Sequence, residues 1–203
     1  MLTKPSSLMP DAMTVIHLYE LGLWEKLRSR IRLVVPSIIA RLEAYYYIDP
    51  NTGEHVNIDL IGQIAKGHVD EAAASLADMH DLLAQFNSVI QRDLHEGEVE
   101  ALTLLYTDQV SDCCFCSADR AAVKALVRLG LKDKSISLEM ALKCTGLSTP
   151  RIAHRHSEKW SGHGRRKRRG NGSRERALLR ILYLNDSHNP VAPNKRTVTY
   201  RLL

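Results

Sequence analysis

Short apolar runs alternate with longer amphipathic stretches along residues 1–150. The apolar runs are rich in Leu, Val or Cys, and proline or a polar residue follows each of them. Short runs of this kind are typical of buried strands. We therefore predict strands at residues 7–10, 32–36 and 112–117.

The amphipathic stretches between these strands predict helices. The clearest helical pattern covers residues 70–91, where apolar side chains recur at spacings of three and four: Leu76, Met79, Leu83, Phe86 and Ile90. We interpret this stripe as core packing, with a groove for a partner helix as the alternative. Further helices are predicted after Asp11 as far as Trp24, from Ile38 to about Tyr47, from near Gly97 to Leu105, and from Asp119 to Gly130.

The order of these elements indicates the fold class. Residues 49–53 (DPNTG) are turn-forming, and the alternating stretch at residues 55–59 after them indicates a small hairpin arm. Helices that alternate with short apolar strands are typical of an α/β sandwich built on a parallel sheet. We expect this domain to occupy residues 1–150.

The pattern breaks down after about Pro150. Residues 161–174 contain no apolar side chain, so this stretch cannot offset its conformational entropy by burial. Residues 151–203 are therefore predicted to be a basic extension that is partly disordered.

Charge is distributed unevenly between the two parts. Residues 151–180 contain eleven Lys or Arg against two Glu, and residues 181–203 contain three basic residues against one Asp. The total of +5 then leaves a net charge of −6 for residues 1–150. An acidic body can concentrate metal ions, whereas a basic tail is attracted to phosphate.

The location of the protein is predicted from what the sequence lacks. There is no apolar run of the ~18 residues that a membrane span needs, and the N-terminus has no apolar signal segment. Three of the four cysteines lie within residues 113–116, a spacing poorly suited to disulfides. We expect a cytoplasmic protein with no membrane partner.

Two clusters of metal-ligand residue types have simpler interpretations. Cys113, Cys114 and Cys116 lie on a predicted strand, and core packing is favoured over a zinc or redox site because only Cys144 remains as a fourth thiol. His154, His156 and His163 lie in the basic stretch without neighbouring carboxylates. We expect these histidines to be solvated or to face phosphate.

Four carboxylates stand at similar places in the predicted fold. Asp11 and Asp119 each follow a strand, Glu43 lies on the helix after the second strand, and Glu98 lies in the first turn of a helix. Ligands of parallel α/β sheets gather outside the carboxyl ends of the strands. Carboxylates that meet there repel one another unless a cation lies between them, and hard oxygen ligands suit Mg²⁺ or Mn²⁺.

Each of these carboxylates also has an ordinary structural interpretation. Asp11 and Asp119 are suited to helix N-caps, and Glu98 is suited to the first turn of a helix because of the helix dipole. Glu43 is suited to a solvated helix surface.

Four segments resemble, in order, the sequence blocks of the PIN domain family. Residues 11–17 (DAMTVIH) resemble its opening D-A-N-x-x-I block, and residues 35–43 (VPSIIARLE) are similar to its second block, which ends in an acidic residue. Residues 94–102 (LHEGEVEAL) resemble an L-x-x-G-E-x-E-A block, and residues 117–122 (SADRAA) resemble the fourth block, D-D-x-A-A/G-R. The resemblance covers about residues 5–146.

This resemblance implies a three-layer α/β/α sandwich with a short parallel sheet, acting as a metal-dependent ribonuclease. Asp11, Glu43, Glu98 and Asp119 would be its catalytic and metal-binding residues, with Glu98 preferred over Glu100 for its offset from Leu94. The family further implies RNA as substrate, a toxin–antitoxin role with a protein inhibitor, and a homodimer.

The basic residues suggest how nucleic acid would be attracted. Arg120 lies beside Asp119 and is a candidate phosphate contact, as are Arg165, Arg166, Lys167, Arg168 and Arg169, which form one continuous cationic run. Aromatic side chains are scarce near this run, so it carries no base-reading module.

Met13 supports an alternative function. It stands where the PIN family has a small polar residue. The alternative is an inactive PIN-like scaffold that binds nucleic acid or a protein through its basic tail.

Overall fold

A parallel sheet of five strands forms the centre of the protein, in a computed structural model that describes residues 5–149, 152 and 154–157. In spatial order its strands are β5 (Asp70–Ala72), β2 (Arg32–Pro36), β1 (Ser7–Pro10), β6 (Cys113–Cys116) and β7 (Ser135–Ile136), so the first strand of the chain is central. All four pairings are parallel.

Helices cover both faces of this sheet, as neighbouring residues of one strand show by packing in different core clusters. Leu8 packs in one cluster with the helices α1 (Ala12–Glu20) and α8 (Leu138–Cys144). Met9 packs in the other cluster with α4 (Leu76–Leu83), α6 (Glu96–Tyr106) and α7 (Arg120–Arg128). The predicted α/β fold on a parallel sheet is confirmed. The other described α-helices are α2 (Trp24–Arg28), α3 (Leu60–Ala65) and α5 (Ser88–Asp93).

The predicted hairpin arm is present. Strands β3 (Tyr46–Ile48) and β4 (His55–Asn57) pair antiparallel around the turn at residues 49–53. The arm shortens the helix that we predicted from Ile38 to about Tyr47. That segment is instead one π-helical turn, Ile39–Glu43, which ends at Ala44 because the following residues pair in the arm.

The single helix predicted over residues 70–91 is wrong. Residues 70–72 form the edge strand β5 beside β2, and two short helices follow. Ser75 caps α4 by accepting a hydrogen bond from the Asp78 N–H, and Asn87 caps α5 in the same way from Ile90. Local capping and sheet pairing therefore outweigh the apolar periodicity, and Leu76 is left 83% exposed.

The cysteine cluster is part of the core, as expected. Cys113 and Cys116 are buried in opposite core clusters, Cys114 is partly buried, and none of the described cysteines forms a disulfide. Burial raises the pKa of the Cys113 thiol to about 11, so this side chain is an inert packing group.

Within the described residues, no helix is both long enough and apolar enough to cross a bilayer. The basic run at residues 165–169, and most of the extension predicted for residues 151–203, lie outside the described residues. Ile152 and His156 do belong to the described part, and they pack against the same body as the sheet.

Candidate functional site: an acidic cleft

A cleft of about 190 Å³ lies where β1 and β6 end. All four of the predicted carboxylates line it, although they come from segments far apart in the sequence. The lining residues are Asp11, Glu43, Glu98 and Asp119, together with Ala12, Met13, His95, Ala118 and Arg155. The topology accounts for this convergence, because the carboxyl ends of parallel strands share one edge of the sheet.

Asp11 ties the ends of two strands together. It is 4% exposed, and its Oδ1 accepts a hydrogen bond from the Thr14 N–H at 2.6 Å, which caps α1. Its Oδ2 accepts from the Ala118 N–H at 3.2 Å, just after β6. Burial raises the pKa of Asp11, and hydrogen bonds from Ser117, Thr14 and Ala118 oppose that rise. The side chain is therefore fixed at the base of the cleft.

Asp119 combines a structural role with a free oxygen. Its Oδ1 accepts hydrogen bonds from the N–H groups of Ala121 at 2.5 Å and Ala122 at 3.1 Å, so it caps α7. Its Oδ2 receives no hydrogen bond from the described residues. A carboxylate oxygen has further lone pairs to offer. The predicted capping role and a ligand role are thus compatible in one side chain.

Glu98 is a second buried carboxylate of the cleft, and its pKa is also raised. It is 6% exposed, and its Oε2 accepts a hydrogen bond from the His95 N–H at 3.1 Å. Burial, followed by the nearby charges of Asp119, Asp11 and Glu43, raises the pKa of Glu98 to about 8. The repulsion expected between converging carboxylates is therefore present.

Glu43 reaches the cleft because the start of α6 comes close to the π-helical turn. Its Oε1 accepts a hydrogen bond from the Gly97 N–H at 3.0 Å. A Cβ at position 97 would lie 2.5 Å from Glu43 Oε2 and 2.6 Å from Ile39 Cγ1. Only glycine leaves room for this approach.

Glu100 lies on the same helix but does not line the cleft. It is 2% exposed, and it accepts hydrogen bonds from Ser37 Oγ at 2.6 Å, the Ile38 N–H at 2.7 Å and the Ala74 N–H at 3.3 Å. These bonds tie α6 to the segments after β2 and β5. The structure thus gives Glu98 and Glu100 different surroundings, and only Glu98 faces the cleft.

Two lining residues, His95 and Arg155, were missed by the sequence analysis. His95 is the residue before α6, and Arg155 lies on a 3-10 turn, His154–His156. The expectation that His156 is solvated or faces phosphate is wrong, because it is 2% exposed and stacks on His17 with ring centroids 4.6 Å apart. No local sequence signal indicates a contact between residues so far apart. His163 lies outside the described residues.

Arg120, the first residue of α7, is exposed and does not line the cleft.

The donor set of the cleft suits a hard divalent cation. Asp119 Oδ2, Glu98 Oε1 and Glu43 Oε2 accept no hydrogen bond from the part of the chain that the structure describes. Oxygen donors of this kind suit Mg²⁺ or Mn²⁺. Within residues 5–149, 152 and 154–157, no three His, Cys, Asp or Glu side chains are grouped closely enough to hold a metal ion as they stand. Binding would therefore require the longer side chains, Glu43 and Glu98, to change rotamer.

No protein family model matches the chain, and no curated protein matches its sequence.

Proposed function

We propose that this protein is a Mg²⁺- or Mn²⁺-dependent endoribonuclease of PIN type. The observation that supports the proposal best is that Asp11, Glu43, Glu98 and Asp119 line one cleft at the carboxyl edge of a parallel sheet. Burial and then the charges of the other three carboxylates raise the pKa of Glu98, and a divalent cation would offset the repulsion between these charges. RNA is the substrate class that the resemblance to the PIN family implies.

The four carboxylates would hold the metal, directly or through water. Asp11 is fixed by hydrogen bonds on both oxygens and would define the base of the site. Asp119 would offer Oδ2 while Oδ1 stays on the backbone of α7. When bound, the cation lowers the pKa of a water and offsets the charge that develops on the departing oxygen.

The wider biological role follows from the same resemblance. We place the protein in the cytoplasm, as the toxin of a toxin–antitoxin pair, with a protein inhibitor as its partner and a homodimer as its assembly. The basic run at residues 165–169 would draw RNA toward the body of the protein by a salt-dependent attraction.

The test is cleavage of a mixed single-stranded RNA pool by the purified full chain. We expect cleavage with Mg²⁺ or Mn²⁺ and none with EDTA. The cleavage rate of Asp11→Asn should be at least about a hundredfold lower than that of the wild type. Asp81→Asn is the matched control, because Asp81 has an 84% exposed side chain. Absence of cleavage with either metal, from folded protein, would contradict the proposal.

One observation favours a second function. Met13 is 44% exposed and lines the cleft where a small polar side chain would be expected. In an inactive scaffold, deletion of residues 161–203 would remove most nucleic-acid binding, and Asp11→Asn would change little. Binding measured at several salt concentrations separates the two functions.

A further inference from the structure

Arg155 is the one Lys or Arg among the described residues that line the acidic cleft. It makes no ion pair with a carboxylate of the described part of the chain, although four carboxylates line the same cleft. Its Nε donates a hydrogen bond to His156 Nε2 at 3.3 Å. The described residues therefore offer no acceptor to the two terminal nitrogens of the guanidinium, which can bind another acceptor.

The backbone around Arg155 is held in place on both sides. Ile152 packs against the core, and the ring of buried His156 stacks on His17 at an interplanar angle of 17°. The turn itself is closed by Ser157, whose N–H and Oγ donate to the His154 carbonyl at 3.1 and 2.7 Å. Arg155 is thus presented to the cleft from an anchored turn.

The helix α1 connects the histidine stack to the cleft. His17 lies on α1, the nine-residue helix that Asp11 caps. The position of Arg155 relative to Asp11 is therefore set through a single helix. A loop without such an anchor would not place a cation at the cleft reproducibly.

The acidic cleft on its own repels an RNA backbone. A divalent cation would neutralise carboxylates, and a protein cation beside it can bind a neighbouring phosphate. Arginine suits this task because its terminal nitrogens form paired, charge-assisted hydrogen bonds with phosphate oxygens.

We propose that Arg155 binds a backbone phosphate of the RNA at the acidic cleft, and that His156 and His17 are positioning residues that hold it there. This inference rests on the proposed ribonuclease function. It assigns the C-terminal turn at residues 154–157 to the substrate site, whereas the resemblance to the PIN family reaches only about residue 146.

The experiment compares Arg155→Ala, Arg155→Lys and Arg128→Ala in the full chain. Arg128 is the matched control, because it is exposed and lies at the far end of α7 from Asp119. Steady-state cleavage of a short single-stranded RNA gives KM and kcat, and calorimetry gives the affinity for Mn²⁺. We expect Arg155→Ala to raise KM about tenfold, with kcat and Mn²⁺ affinity nearly unchanged. Arg155→Lys should recover part of the loss, and Arg128→Ala should behave as the wild type.

The positioning role of the stack is tested with His156→Ala and His156→Phe. The Ala variant should raise KM as Arg155→Ala does. The Phe variant keeps a ring on His17 and should recover most of the affinity. Arg155 is exposed, so its variants will fold even if His156→Ala does not.

A second readout does not depend on cleavage. Binding of a four-nucleotide RNA is measured in Asp11→Asn and in Asp11→Asn combined with Arg155→Ala. Weaker binding in the double variant supports the role of Arg155 even if the wild type proves inactive, in which case only the ribonuclease proposal fails.

Two results would overturn the inference. One is RNA binding and KM in Arg155→Ala equal to those of Arg128→Ala. The other is tighter Mn²⁺ binding in Arg155→Ala with no change in KM, which would make Arg155 a counter-ion for the carboxylates.

Discussion

Glu43 and Gly97 are joined by a hydrogen bond of 3.0 Å, from the Gly97 N–H to Glu43 Oε1. This bond connects the π-helical turn after β2 to the first turn of α6, and both segments contribute a carboxylate to the cleft. A close approach of backbone to side chain therefore holds Glu43 beside Glu98.

Gly97→Ala should disturb the cleft and the core together. The new Cβ would meet both Glu43 Oε2 and the buried Ile39 side chain, so one of them must shift. We expect a loss of about 1–3 kcal/mol in the free energy of unfolding, measured by urea denaturation. Weaker Mn²⁺ binding should accompany it. Glu96→Ala is the control, because Glu96 is exposed in the same turn; equal effects of the two variants would contradict the close approach.

Stability of the metal-free protein should fall as the pH rises through neutrality. The pKa of Glu98 is about 8 in the folded protein, above its ordinary value of 4.5, so the folded state binds the proton more tightly. The stability contributed by this proton is fully present below pH ~4.5 and is lost as the pH rises toward ~8.

Glu98→Gln should therefore melt at least about 3 °C above the wild type at pH 8.5 without metal, and by a smaller margin at pH 5. Thermal unfolding at the two values measures this difference. A Tm difference that does not depend on pH would contradict the cause assigned to the shift.

Glu100→Gln should destabilise the protein and leave metal binding nearly unchanged, in contrast to Glu98→Gln. Glu100 holds three hydrogen bonds that tie α6 to the segments after β2 and β5. We expect a destabilisation of about 1–3 kcal/mol in urea unfolding, because an amide cannot satisfy all of these donors. The Mn²⁺ affinity of the folded variant should stay within about twofold of the wild type, whereas in Glu98→Gln it should fall. Loss of metal binding in Glu100→Gln at full folding would argue that Glu100 is a ligand.

The protein should lose stability in mild acid, because His156 is buried against His17 and is held neutral there. Burial, together with the charges of His17 and Arg155, lowers the pKa of His156 to about 3 from 6.5. The unfolded state then binds the proton more tightly, so stability is lost as the pH falls below ~6.5 and the loss levels off near pH ~3.

His156→Phe keeps a ring stacked on His17 but removes the imidazole that binds this proton. The urea midpoint of the wild type should drop more between pH 7.5 and pH 5 than that of His156→Phe. His154→Phe is the control, because His154 is exposed. Parallel pH profiles of wild type and His156→Phe would contradict burial of a neutral His156.

The parts of the fold that the sequence predicts are those with strong local signals. Strands β1, β2 and β6 are short apolar runs, and α7 begins after a capping Asp119 and ends before Gly130, whose φ is +75°. The apolar stripe correctly predicted core packing for Phe86 and Ile90, but it did not mark one continuous helix. Capping by Ser75 and Asn87 and the pairing of β5 divide that segment.

The same distinction applies to the cleft. Asp11 and Asp119 follow strands, so the topology of a parallel sheet brings them together. Arg155 and the stack of His156 on His17 depend on a long-range contact that no periodicity encodes. The offset from Leu94 favoured Glu98 over Glu100, and the three hydrogen-bond donors around Glu100 give the physical reason why it stays out of the cleft.

Titration of Mn²⁺ into the metal-free full chain by calorimetry tests the central claim most directly, because it needs no knowledge of the RNA target. The wild type and Asp81→Asn should bind Mn²⁺ with the same affinity, and Asp11→Asn and Asp119→Asn should each bind at least about tenfold more weakly. Absence of Mn²⁺ binding by the folded wild type, or equal binding by Asp11→Asn, would contradict the assignment of the acidic cleft as a metal centre.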